Sequence, residues 1–267
     1  MKKNKAFTLA EVLITLGIIG VVAAMTLPAL INKTKNKELH TAFLKTYAEL
    51  NQVAMSFKAD YGISVPEYTM NSSGIIRDSS KKIIAYYKGA KSVNYGQGGV
   101  NDGDGNYIAF YPMSTLSGNS YSGGANSNGQ NSSFMCDNSA FTSTQSGALM
   151  IFNDAPRVEG QNGPVICVDI NGKKKPNRYG IDYFMFIFTT DGHVIPVGQK
   201  HKNNPPVCNS SNGTCSNFNS VGSGYCSNTS NDISKNTSCA YYALTNTHPT
   251  KEGKDYWTDF LGEVYSR

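Results

Sequence analysis

The cysteines are the residues of this chain with the clearest chemistry, and their spacing indicates disulfides rather than a metal site. Four of them lie in one Ser-, Asn- and Gly-rich segment, residues 203–239, namely Cys208, Cys215, Cys226 and Cys239. Their separations do not fit the paired C-x-x-C spacing of zinc sites. Because so polar a segment cannot form a core of its own, we predict a disulfide-stapled loop in an oxidising compartment. Cys136 and Cys167 form a further candidate pair, and the sequence leaves the connectivity open.

A second group of residues carries oxygen atoms that a hard cation prefers. Asp169, Asn171 and Asp182 flank a turn-rich loop, and their side chains could converge on calcium, which takes about six to eight oxygen ligands. The lysines at 173–175 put positive charge into the same loop. They favour the alternative, in which these side chains only cap turns. Calcium is therefore the one cofactor that the sequence suggests.

Signals for catalysis and for nucleic-acid binding are weak. The histidines, His40, His193, His201 and His248, are isolated from one another, and we find no Gly-rich phosphate loop, HExxH or G-x-S-x-G motif. We therefore expect this chain not to be an enzyme. The formal charge of +5 includes Lys2, Lys3 and Lys5 at the extreme N-terminus. Since these three lysines precede a hydrophobic run and need not remain in the mature chain, we predict no nucleic-acid partner.

The hydrophobic run begins at Phe7, ends at Ile31 and contains one charge, Glu11. A helix of about 25 residues spans roughly 38 Å, enough to cross a hydrocarbon core of about 30 Å. The short leader, residues 1–6, has lysines as its only charged residues. It should hold the N-terminus in the cytoplasm and send the rest of the chain outward. We expect a single-pass membrane protein with its N-terminus in the cytoplasm.

Glu11 needs a partner if it lies in such a span, because a carboxylate there costs about 2.5–3.5 kcal/mol on insertion scales. No residue of the run is basic. A chain cut after Ala6 would expose the α-amino group of Phe7, and this amine of one chain can pair strongly with Glu11 of its neighbour at low dielectric. The pairing would set the register between subunits.

These residues carry a family resemblance. A Lys-rich leader followed by Ala6-Phe7-Thr8-Leu9-Ala10-Glu11 and a long apolar run resembles the class III signal of type IV prepilins and type II secretion pseudopilins. The resemblance covers residues 1 to about 60 and implies cleavage between Ala6 and Phe7 by a prepilin peptidase, followed by N-methylation of Phe7. It departs from the family at Ala6, where Gly is usual.

The same resemblance implies partners and a location. The apolar helix would first lie in the lipid of the bacterial inner membrane. An inner-membrane assembly machinery would then bring it together with the helices of homologous subunits to form a filament core. The product would be a periplasmic pseudopilus or a cell-surface pilus. Pro28 falls where many members have a helix-kinking proline, which removes a backbone hydrogen bond. Some secretion pseudopilins bind calcium, which bears on Asp169, Asn171 and Asp182.

Other interpretations of the N-terminus stay open. A secretory signal peptide has a core of about 7–15 residues, shorter than this one, and an unprocessed anchor explains the length but not the Phe-Thr-Leu-x-Glu pattern. The long polar loops favour a minor or specialised subunit. The rival function is a single-pass surface binding protein that recognises a ligand or a surface through its cysteine-rich loop.

The rest of the chain predicts an α+β head packed on a long helix. An apolar stripe continues the helix over residues 32–61, with Tyr61-Gly62 as its end, and it comprises Leu39, Phe43, Tyr47, Leu50, Ala54, Phe57 and Tyr61. Residues 62–267 form the head, in which a C-terminal aromatic cluster acts as a packing clasp.

Within the head, alternation of β-branched and aromatic residues predicts three or four antiparallel strands against the helix. The candidate strands of this meander are Ala148–Asn153, Val165–Asn171, Tyr183–Thr190 and His193–Val197, with a hairpin at Asp191-Gly192. Asn106–Met113 is predicted as a further strand, earlier in the chain. A short helix is predicted over Ser79–Lys88, capped by Ser79 or Ser80. Tyr183–Thr190 is apolar on both faces and is expected to be central in the sheet.

Overall fold

One long helix organises the molecule. In the computed structural model, α1 runs unbroken over Leu9–Tyr61, so the predicted apolar and amphipathic segments are a single helix. It ends at Gly62, whose φ of 72° is the left-handed conformation that glycine adopts without strain, and whose N–H donates to the Lys58 carbonyl. The predicted end of the helix is confirmed. Pro28 lies inside α1 without ending it, and the bend expected there stays a prediction.

The structure describes residues 8–71, 76–96, 99–101, 107–108, 114–119, 140–143, 146–152, 156, 159–172, 174–204, 206–208, 215–217, 224–231 and 233–265. The leader with Ala6, the residue Phe7, and Cys136 therefore lie outside the described residues. So does the end of the predicted strand Asn106–Met113, of which only Tyr107–Ile108 is seen as a strand.

The head is built on one antiparallel sheet of eight strands in the order β3-β2-β1-β4-β5-β6-β7-β8. The strands are β1 Lys91–Gly96, β2 Gly99–Asn101, β3 Tyr107–Ile108, β4 Ala140–Thr142, β5 Leu149–Phe152, β6 Val165–Asp169, β7 Tyr183–Phe188 and β8 Val194–Pro196. A separate hairpin pairs β9, Pro206–Cys208, with β10, Cys215–Asn217. The α+β class is confirmed. The meander β5–β8 was predicted, but β1, β2 and β4 were missed because they have only three to six residues each.

Strand β7 fixes the sheet to the helix. Phe184 and Phe186 face α1, with ring centroids 4.7 and 5.5 Å from that of Phe43. The opposite face of β7, including Met185 and Ile187, is also buried. The apolar character of both faces is thus confirmed, although β7 is the penultimate strand of the sheet and not central, because the sheet grows beyond β5 and not beyond β8.

The hairpin between β7 and β8 forms where Asp191-Gly192 predicted it. Phe188 pairs with Val194, and Thr189 N–H donates to the His193 carbonyl across the turn. Gly192 has φ of 91°, which a residue with a Cβ rarely adopts.

Short helices complete the head. They are α2 Val65–Asn71, α3 Ile76–Ile84, a 3₁₀ turn Ile233–Asn236, α4 Cys239–Thr245, and a π-helical turn Tyr256–Phe260 that continues into α5 Leu261–Tyr265. The prediction that Ser79 or Ser80 caps a helix over Ser79–Lys88 was wrong. The helix starts at Ile76, and both serines are buried in its interior, because tertiary burial outweighs the capping preference of serine.

The C-terminal aromatic residues form the predicted clasp on α1. Trp257 is buried, stacks on His40 with ring centroids 5.0 Å apart, and donates from Nε1 to the Ala243 carbonyl. The side-chain amide of Asn36, also buried, donates to the Trp257 carbonyl at 2.8 Å. The clasp thereby fixes the lower end of the head against the middle of α1.

Candidate functional site

The N-terminal half of α1 is an exposed apolar surface. Leu9, Ile14 and Met25 are 78%, 62% and 75% exposed. Among the described residues, the head comes near this half only at its end, where Thr258, Gly262 and Tyr265 line a cavity together with Met25 and Pro28. Its best 18-residue window has a mean hydropathy of 2.3, and α1 is the one helix, within the described residues, that is long and apolar enough to cross a membrane. A continuous apolar surface of this size requires lipid or other helices to cover it.

Glu11 has hydrogen-bond partners in its own chain. Its Oε2 accepts from the N–H and the hydroxyl of Thr8, both at 2.8 Å, and the Thr8 hydroxyl accepts from the Glu11 N–H at 3.3 Å. This is a capping box, in which residues at the helix start satisfy each other's donors.

This pairing corrects the expectation that only a neighbouring chain satisfies Glu11. The pattern Thr8-x-x-Glu11 ahead of an apolar run is the sequence signal that could have predicted it. Both donors are neutral, however, so the capping box solvates the carboxylate without neutralising its charge. A cation near Glu11 would still gain from the low dielectric of a helix bundle.

The three candidate calcium ligands do come together at the end of β6. Asp182 accepts from the backbone N–H of Asn177 at 2.8 Å and of Arg178 at 2.7 Å, and from the side-chain amide of Asn171 at 3.2 Å. Asp169 Oδ1 accepts from the Asn171 N–H at 3.2 Å. Both carboxyl groups are almost fully buried.

Burial raises the pKa of both carboxyl groups in this cluster. The pKa of Asp182 rises to about 6 against an ordinary value of 3.8, because desolvation outweighs the hydrogen bonds that it accepts. The pKa of Asp169 is raised further above its ordinary range, by desolvation and by the nearby Asp182 charge. The charge on Asp182 therefore disfavours ionisation of Asp169.

Two amide oxygens in the same cluster have no hydrogen-bond partner among the residues that the structure describes. These are Oδ1 of Asn171 and Oδ1 of Asn177, and both atoms are buried. Asn177 is only 7% exposed and has φ of 52°, the left-handed conformation that directs its N–H to Asp182. Sequence reasoning missed Asn177 because its contribution depends on this turn geometry.

The cysteine-rich segment contains a disulfide between Cys226 and Cys239, with Cα atoms 4.8 Å apart. It ties the turn before the 3₁₀ helix to the first residue of α4, and both residues are buried. Cys208 and Cys215 are directly paired across the β9–β10 hairpin. Cys167, in β6, is also disulfide-bonded. A disulfide-stapled segment is thus confirmed at one pair, and the pairing of Cys136 with Cys167 stays a prediction.

Comparison with known families decides the nature of the N-terminus. Residues 1–27 match the family described as the prokaryotic N-terminal methylation motif. The chain carries a prepilin-type cleavage and methylation signal. This signal is found in type IV pilins and pseudopilins, a structural class of protein and not an enzyme class. No curated protein and no solved structure matches the chain.

The prepilin-type signal and the exposed half of α1 are the same part of the molecule. The match ends at Leu27, one residue before Pro28, whereas the head makes its first buried contact with α1 at Asn36. Residues 9–27 of the signal therefore lie on the part of α1 that precedes its buried contacts with the head. Together the motif and the apolar helix indicate membrane anchoring and processing by a prepilin peptidase.

Proposed function

We propose that this chain is a structural subunit, of minor or specialised type, in a type IV pilus or a type II secretion pseudopilus. The observation that carries the proposal is the coincidence of a prepilin-type signal with an apolar half-helix that the head leaves uncovered. Residues 1–6 would be the leader, the helix would be the filament core, and the head from residue 62 onward would coat the outside.

Assembly would work by exchanging one cover of α1 for another. In the inner membrane, lipid surrounds the side chains of Leu9–Ile31, with the leader in the cytoplasm and the head outside. An assembly machinery would then move the subunit out of lipid and into a bundle with α1 of homologous subunits. Since lipid is as apolar as leucine, the bundle must gain from close packing and from paired polar groups such as Glu11.

The mature N-terminus tests the processing step. Mass spectrometry of the protein from its native cell should give a chain that begins at N-methylated Phe7, because the signal places the cut between Ala6 and Phe7. A variant with Ala6→Gly, which restores the residue usual in the family, should be processed at least as fast. A mature chain that keeps Met1, or one that begins beyond Ala24, would contradict the proposed function.

A second proposal concerns the buried acidic cluster: it takes up a calcium ion. The support is the set of four oxygen-bearing side chains, Asp169, Asn171, Asn177 and Asp182, of which the two asparagines leave an oxygen unpaired. Oxygen donors with two carboxylates suit calcium. When bound, the ion would supply the positive charge that lets both carboxylates ionise. The alternative occupant is a proton.

The dependence of stability on pH and on calcium separates these two occupants. Without calcium, both raised pKa values mean that the folded state binds protons more tightly than the unfolded state. Stability should therefore fall as the pH rises from about 4 through about 6. Calcium at about 1 mM, near the upper end of the range for extracellular sites, should restore the melting temperature at pH 7.5.

The matched variants are Asp169→Asn and Glu252→Gln, the second an exposed acid. Asp169→Asn keeps an oxygen that can accept the Asn171 N–H and removes one buried charge, so it should flatten the pH dependence and abolish the response to calcium. Glu252→Gln should leave both unchanged. A melting temperature that does not respond to calcium in the unaltered chain would mean that the cluster holds only a proton.

The rival function, a surface binding protein with a simple anchor, makes a different prediction for the same helix. An anchor needs only apolar character, so Glu11 and the N-terminal cut would be dispensable. The disulfide at Cys226–Cys239 stabilises the cysteine-rich segment in either case and does not favour one function.

A further inference from the structure

The base of the head, where the clasp meets α1, lies very close to the end of the apolar run. Among the residues of α1 whose burial the structure describes, Asn36 is the first that is buried; its side chain donates to the Trp257 carbonyl at 2.8 Å and accepts from the Tyr265 hydroxyl at 3.2 Å. Ile31, the last residue of the run, is five positions earlier, which is about 8 Å along a helix. If α1 spans a bilayer, the base of the head must therefore face the headgroups.

Lysines surround this base and come from two parts of the chain. Three lie on α1 and two on the loop after β6, namely Lys33, Lys35, Lys37, Lys174 and Lys175. The Nζ of Lys35 donates to the Lys175 carbonyl at 3.2 Å, a contact between residues 140 positions apart that holds the loop against α1. All of these lysines are exposed except Lys35, which is half-buried. We call this set the basal lysine cluster.

The basal lysine cluster is not neutralised by the head itself. Within the described residues, none of its five members lies in an ion pair. Two acids of the neighbouring clasp have other cations as partners, since Asp259 pairs with Lys254 at 3.7 Å and Glu263 with Lys251 at 2.5 Å. The third, Asp255, accepts the backbone N–H groups of Thr258 and Asp259. Between Asn32 and Tyr47, Glu38 is the one acidic residue on α1. The base therefore presents a net positive surface.

We propose that the basal lysine cluster docks the head on anionic phospholipid headgroups of the outward-facing leaflet. The inference rests on the proposed function, because it needs α1 to span the membrane. Charge complementarity and position select this occupant: the cluster lies at the depth where phosphate groups occur, and a basic surface within a Debye length of an anionic leaflet is attracted to it. Docking holds the head upright on the bilayer, so extraction of the subunit into a filament must break the contacts between the lysines and the headgroups.

The experiment uses the full chain in nanodiscs that contain one copy each, made of phosphatidylcholine alone or with phosphatidylglycerol. Amide hydrogen exchange is measured at the base, residues 174–182 and 256–265, and at the far hairpin, residues 189–194. We expect exchange at the base to be about threefold slower or more when phosphatidylglycerol is present. At about 0.5 M salt it should return to the rate seen in phosphatidylcholine alone, because screening shortens the Debye length to a few ångströms. The far hairpin should not change.

Two triple variants control for charge alone. Lys33→Gln with Lys174→Gln and Lys175→Gln should lose the lipid-dependent slowing, although the backbone carbonyl that binds Lys35 remains. Lys81→Gln with Lys82→Gln and Lys202→Gln removes the same amount of charge at positions outside the cluster, and this variant should keep the lipid-dependent slowing. Equal exchange in the two lipid compositions would overturn the proposal, as would slowing that needs a second copy of the chain in the nanodisc. A chain that fails to insert into any nanodisc would instead contradict the membrane-spanning helix, and with it the proposed function.

Discussion

The two halves of α1 belong to one continuous helix but have opposite surroundings. Leu9–Ile31 is apolar on nearly every side and exposed, whereas from Asn32 onward the helix is amphipathic and buries one face, with Phe43, Leu50 and Phe57 fully covered by the head. The difference shows where each half finds its partner. The second half completes its core within the chain, and the first half depends on lipid or on other subunits.

The same difference appears in how polar groups are satisfied. In the second half, Asn51 accepts the Val194 N–H and Lys58 donates to the Asp191 carbonyl, so the helix is bonded to the β7–β8 hairpin. In the first half, Glu11 and the threonines bond only within the helix, as Thr26 does to the Val22 carbonyl. The first half therefore has no described bond that ties it to the head.

The largest expected effect tests the folded half. Phe43→Ala removes a buried ring in contact with Phe184, Phe186 and Trp257 and should lower the free energy of unfolding of the head by about 3–5 kcal/mol. Leu44→Ala, at a neighbouring position that is 42% exposed, should cost less than about 1 kcal/mol. Denaturant unfolding of the full chain in detergent measures both. Similar losses at the two positions would mean that the head does not depend on α1 for its core.

A second prediction tests the other half through its charge. Glu11→Gln keeps an oxygen for the Thr8 donors but removes the charge that the Phe7 amine would pair with. We expect normal membrane insertion, unchanged head stability and about a tenfold weaker association between subunits, equivalent to about 1.4 kcal/mol. Filament yield and subunit crosslinking measure the association. The control is Glu38→Gln, an exposed acid on the same helix. Full assembly of Glu11→Gln would contradict the register role.

The smallest effect concerns the start of the helix. Thr8→Ala removes the side-chain half of the capping box and should destabilise the first turn by about 1 kcal/mol. Faster amide exchange over residues 9–12 in micelles is the expected observation, with no change at residues 39–57. Thr41→Ala is the control, since the Thr41 hydroxyl bonds only to the Lys37 carbonyl inside the helix. Exchange that is unchanged at the first turn would show that Glu11 is held by something other than Thr8.

The parts of the fold that the sequence predicted well are those with strong periodicity. The stripe from Leu39 to Phe57 and the alternation of Phe184 and Phe186 both predicted the faces that meet. The prediction that Ser79 or Ser80 caps a helix was wrong, because a capping preference of about 1 kcal/mol is smaller than the gain from burying a helix face. Strands β1 and β2 were missed because they are short and rich in lysine, serine, asparagine and glycine, which do not predict a strand.

The candidate sites divide in the same way. The Phe-Thr-Leu-x-Glu signal is a local pattern that a peptidase must recognise in sequence, and so it was found without a structure. The cluster around Asp182 was found only in part, since Asn177 enters through a left-handed backbone conformation. The basal lysine cluster was not found, because Lys35 and Lys175 meet only when the loop after β6 folds back on α1.

By itself the sequence determined that α1 exists, where it ends at Gly62, which half is apolar, and which signal marks its start, because each of these follows from the identity and spacing of nearby residues. Only the tertiary structure decided that two carboxylates are buried side by side and that lysines from distant segments meet at the base of the head. These depend on contacts between groups whose distance the order of residues alone does not fix.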